Sequence, residues 1–177
     1  MTKFKLKNRF KNRAALTLVE LILYFTILAV GLFVAMDFAI KIGSYYVLTS
    51  SMNEVQSNAD YFGERLLYAI TIATQVNGGA SIFDSDSGKL SLSANDPGVN
   101  PTVFFLQGGN IYLAQGTNPP LAINTSGVTV DSLRFHRLTH AKTPDQIEVT
   151  AEFVSKNQDL DSMVYRMPLH LTMSLRP

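Results

Sequence analysis

The chain has 177 residues, with 15 Lys plus Arg against 14 Asp plus Glu and no cysteine. Lack of cysteine excludes disulfide staples and thiol redox chemistry, so any folded part must hold by packing alone. The near-neutral total hides an uneven distribution: Lys3, Lys5, Lys7, Arg9, Lys11 and Arg13 fall in the first fifteen residues, where no acid occurs. The rest carries 9 cations against 14 acids, a balance of −5 (9 minus 14), which argues against nucleic-acid binding through a basic surface.

Behind the basic stretch runs an apolar segment, Leu16 to Met36, diluted by two threonines and one acid, Glu20. As a helix it is long enough for a ~30 Å hydrocarbon layer, and the flanking positive charge holds its start on the cytoplasmic side. An ionisable residue near the start of such a segment is costly, which makes Glu20 a functional candidate. A basic stretch before an apolar one fits a cleaved secretory signal, a permanent anchor, or a leader cut before the apolar segment. The small-x-small site required by the first, Ala29-Val30-Gly31, lies inside the run, whereas Ala14 and Ala15 stand at its edge.

Ala15 followed by Leu16-Thr17-Leu18-Val19-Glu20-Leu21 resembles the processing motif of type IV prepilins and pseudopilins. The resemblance implies that a prepilin peptidase cuts between Ala15 and Leu16, that the new Leu16 amine is methylated, and that Glu20 is the family's assembly glutamate. It further implies a single-pass inner-membrane protein that joins other pilin or pseudopilin subunits through its N-terminal helix at an inner-membrane assembly platform. The product would be a cell-surface or periplasmic filament. The family usually has Gly before the cut and often Phe or Met after it, where this chain has Ala15 and Leu16. Physically, a carboxylate one turn from a liberated amine neutralises it where little water is present, and a wrong stagger between helices leaves both charges unpaired. The bland alternative is that Glu20 is an interfacial residue of an ordinary anchor.

Beyond Met36 nothing breaks the helix: the first proline is Pro97 and no glycine falls between Gly43 and Gly63. Val55, Ala59, Phe62, Leu66, Ala69, Ala73 and Val76 follow at spacings of four and three, leaving Asn58, Asp60, Glu64, Arg65 and Gln75 to other faces. Asn77-Gly78-Gly79 supplies a stop. The expectation is a leader over residues 1–15, one helix over residues 16–77, and a bend at Gly43 and Ser44 left open. Gly31 reads either as a close-packing point or as a place where the helix loosens.

From 78 to 177, short apolar runs punctuated by Gly, Pro, Asn and Asp read as antiparallel strands. Leu90 and Leu92 alternate with serines, and Val103 to Leu106 and Ile111 to Leu113 flank a Gly108-Gly109-Asn110 turn. Ile147, Val149, Ala151 and Phe153 alternate with polar residues, as do Leu169, Leu171, Met173 and Leu175. The expected fold class is α+β, one long helix covering one face of a small antiparallel β head. This order of elements is similar to the minor pseudopilin J and minor pilin W group.

Candidate chemistry in the head is thin. Asp84-Ser85-Asp86-Ser87-Gly88 starts like a calcium loop, but its twelfth position is Asn95, so a polar turn is the favoured reading. Asp159 and Asp161 read the same way. His136, His140 and His170 fall in strand or loop texture, where a helical metal pair does not form, and read as surface or interface residues. No nucleophile motif or phosphate loop is present, so no enzyme, metal or cofactor is expected. The leading expectation is a minor structural subunit of a type IV pilus or of a type II secretion or competence pseudopilus. The alternative is a single-pass anchored protein with an extracellular binding domain.

Overall fold

The computed structural model describes residues 17–139, 144–156 and 164–175. One helix, α1 (Leu18–Ile72), is followed by β1 (Ala73–Val76), a 3-10 turn (Gly78–Ala80) and seven further strands. These are β2 (Lys89–Ala94), β3 (Thr102–Gln107), β4 (Asn110–Gln115), β5 (Leu121–Ala122), β6 (Val128–Leu138), β7 (Gln146–Ser155) and β8 (Arg166–Ser174). Residues 1–45 and 46–177 form two separate units.

In the second unit all strand pairings are antiparallel: β1 to β5 make a five-stranded sheet in sequence order, and β6 to β8 a three-stranded one. The arrangement is α+β, with the later part of α1 packed on both sheets. Val55, Ala59, Phe62, Leu66, Ala69 and Ile70 of α1 join Leu90, Leu92, Phe104 and Ile111 of the first sheet and Phe135, Ile147, Val149 and Phe153 of the second in one core. Phe62 is the hub. Its ring meets Phe104 edge-on at 6.1 Å between centroids and Phe153 at 6.0 Å, so one side chain ties the helix to both sheets.

The turn chemistry accounts for the β3–β4 hairpin. Gln107 pairs with Asn110 across a two-residue loop, and Gly108 and Gly109 take φ values of 58° and 76°. Two successive left-handed residues are what the twist-matched hairpin turn demands. The tip is then anchored, because the Val130 amide donates to the Gly109 carbonyl at 2.9 Å.

Two expectations are corrected. The helix stops at Ile72, not at 77, and Ala73–Val76 is a strand paired with β2. Ala73 and Val76 are nonetheless buried, as the helical spacing required, because a bulge between Ala73 and Gln75 turns an extended chain with a three-residue spacing back to the core. Thr71, Ile72, Thr74 and Val76 are β-branched, and the β2 edge gives their backbone a ladder. Asn58, assigned to an outer face, is buried: its Oδ1 accepts the Thr125 amide at 2.8 Å and its Nδ2 donates to the Glu54 carbonyl at 2.7 Å. A fully bonded amide is tolerated inside where a bare one is not. Gly43 and Ser44 both fall within the one helix α1, and the Ser44 hydroxyl donates to the Ile40 carbonyl at 3.2 Å.

Candidate assembly helix

Thr17 opens the helix. Its hydroxyl accepts the Glu20 amide at 3.3 Å and its carbonyl accepts the Leu21 amide at 3.1 Å, so Thr17 caps the first turn. Glu20 is the third residue of α1, where a carboxylate faces the positive end of the helix dipole, an effect of about 0.3–1 kcal/mol when exposed. One turn on, the Tyr24 hydroxyl donates to Glu20 Oε1 at 3.4 Å. Thr-x-x-Glu and a Glu-Tyr pair four apart are both visible in the sequence, although attention to the acid alone passes over Thr17 and Tyr24. Ala15 and Leu16 lie outside the described residues.

After Glu20 the helix is apolar on every side. None of the apolar stretch is buried by the rest of the chain. Exposure runs from 46% at Leu21 to 75% at Phe33. From Leu18 to Met36 the rise is ~28 Å, which matches a hydrocarbon layer. An apolar surface that continuous needs something other than water against it. A Cβ at Gly31 would meet nothing within 4 Å, so the helix carries a shallow notch there. The run closes on Asp37 and Lys41, an exposed i,i+4 ion pair at 2.7 Å, followed by exposed Tyr45 and Tyr46, residue types suited to a membrane boundary.

The candidate residues of the head engage one another. Asp84, at φ 58°, places Oδ1 2.6 Å from His136 Nδ1, and Asp86 holds Arg134 at 2.7 Å, so both acids of the Asp84–Gly88 turn bond side chains of β6. His170 Nε2 lies 2.7 Å from Glu148 on the neighbouring strand. Arg166 bonds Asp131 at 2.7 Å and Glu152 at 3.2 Å, and those partners, Asp131 foremost, raise its pKa above the ordinary guanidinium range. The raised pKa keeps the guanidinium charged up to strong alkali, where its contribution to these pairs is lost. Among the described residues no three His, Asp or Glu are grouped to hold a metal ion. His140, Asp159 and Asp161 lie outside the described residues.

No family model, curated protein or solved structure matches this chain.

Proposed function

We propose that the chain is a minor structural subunit of a type IV pilus or of a related type II secretion or competence filament. Prepilin peptidase removes residues 1–15, Leu16 carries the methylated amine, and the subunit assembles helix against helix from the inner membrane. The observation that carries this reading is a carboxylate, Glu20, at the head of the otherwise apolar and exposed stretch of α1 up to Met36, with a 3.4 Å hydroxyl contact as its one side-chain hydrogen bond among the described residues. In a dry helix bundle such a group requires a cation, and the amine of Leu16 lies one turn away in sequence.

A second reading, a single-pass anchored binding protein, draws support from the same geometry. The helix dipole and the Thr-x-x-Glu start already give Glu20 a local use.

Glu20→Gln separates the two, because glutamine preserves the capping pattern and deletes only the charge. Under the filament reading the variant still inserts in the membrane but is lost from sheared filament fractions, whereas normal incorporation refutes the pairing mechanism. Intact mass of the membrane-extracted protein provides the independent check: the filament reading expects a chain starting at N-methylated Leu16, and the anchor reading an N-terminus still carrying residues 1–15.

A further inference from the structure

The three-stranded sheet stops one strand short of covering the helix it packs on. In β7 the inward residues Ile147, Val149 and Ala151 are 0%, 0% and 4% exposed, yet their partners in β8, Met173, Leu171 and Leu169, are only half-buried. Past them lies an open groove of about 490 Å³ between β8 and α1, floored by Gly63 and Leu67, with Leu67 55% exposed. A Cβ at Gly63 would stand 3.4 Å from the Leu171 methyl, an ordinary contact distance.

β8 pairs with β7 alone, so its other edge presents free backbone donors and acceptors among the described residues. Pro168 removes a donor near one end, which leaves Leu169 to Ser174 as an uninterrupted six-residue template. Asp60 and Glu64 overhang the same groove four residues apart on α1. Neither forms an ion pair or hydrogen bond with the described residues, and like charges at that spacing repel.

We propose that β8 is a recognition edge that receives an extended segment of a partner protein as a fourth strand. Main-chain bonds to Leu169–Ser174 supply the pairing, alternate apolar side chains fill the groove over Leu67, and a basic side chain meets Asp60 and Glu64. The sheet's two-residue period dictates that apolar pattern, and the unpaired acids dictate the sign of the charge. The carboxylate pair also disfavours a second copy, since Arg134, Arg137 and Arg166, three of the six described Lys and Arg residues of the second unit, are already engaged by acids of their own chain. The site belongs to the head and stands whether or not the helix enters a filament.

The test uses the detergent-solubilised full chain and a blocked eight-residue peptide alternating valine with lysine and threonine. Its anisotropy titration is expected to show saturable binding, with slowed amide exchange confined to Leu169–Ser174. Methylating the peptide's alternate backbone nitrogens on one edge should abolish binding, and Asp60→Lys with Glu64→Lys should weaken it about tenfold while leaving the head's melting unchanged. Absence of binding, full binding by the N-methylated peptide, or protection elsewhere than β8 would overturn the proposal. A peptide that binds as a helix, seen by circular dichroism, would do so too.

Discussion

Phe33 and Phe62 are the same side chain in the same helix, 75% and 1% exposed. The first unit shows its leucines, isoleucines and phenylalanines on all faces, whereas the second directs one stripe of α1 into two sheets and leaves the other faces a mixture of polar side chains with a few apolar ones such as Leu67. Hydrophobicity therefore does not locate a core. Its angular distribution does: a one-sided stripe demands a packed neighbour, and an all-round surface demands an apolar medium. Measurements that treat the two units alike ought to separate them.

The largest separation is expected for Phe62→Ala, which removes the ring joining helix and sheets and should destabilise the head by about 3–5 kcal/mol in denaturant titration. Phe33→Ala should leave that titration unchanged. An equal loss in both variants would mean that the first unit also carries tertiary packing. Next comes Leu28→Arg, which places a charge in mid-segment and should cost about 2.5–3.5 kcal/mol of membrane insertion, read from the fraction extracted by carbonate. Here the head should melt as before. Smallest is Lys41→Ala, which breaks an exposed ion pair with Asp37 and should change stability by no more than about 0.5 kcal/mol. A larger effect would show that the pair is shielded from water by something bound to that stretch.

Much of the fold could be read from local pattern. Helical spacing picked out Val55, Ala59, Phe62, Leu66 and Ala69, all buried, and the Gly108-Gly109 turn with its flanking strands was legible because two left-handed residues have few other uses. Strict alternation identified β7. Where the pattern failed, two structures shared one spacing. Ala73 and Val76 satisfy a helix turn and a bulged strand equally, and only the β2 edge, distant in sequence, selects the strand. Asn58 looked like a surface residue because the Thr125 amide that satisfies it lies 67 positions away. In the candidate site, Glu20 stood out by composition alone, whereas Thr17 and Tyr24 were legible only through their spacing of three and four from it.

By itself the sequence determined the apolar, all-round character of α1 up to Met36, the position of the single acid in that stretch, and the two-residue hairpin turn. Each follows from side chains and backbone preferences within a few residues of one another. Tertiary structure decided where the helix ends, which polar group goes inside, and that β8 is left half-covered with an open edge. Those outcomes depend on partners brought together from far along the chain, and the free energy of long-range pairing and burial exceeds the small local differences that a sequence window can register.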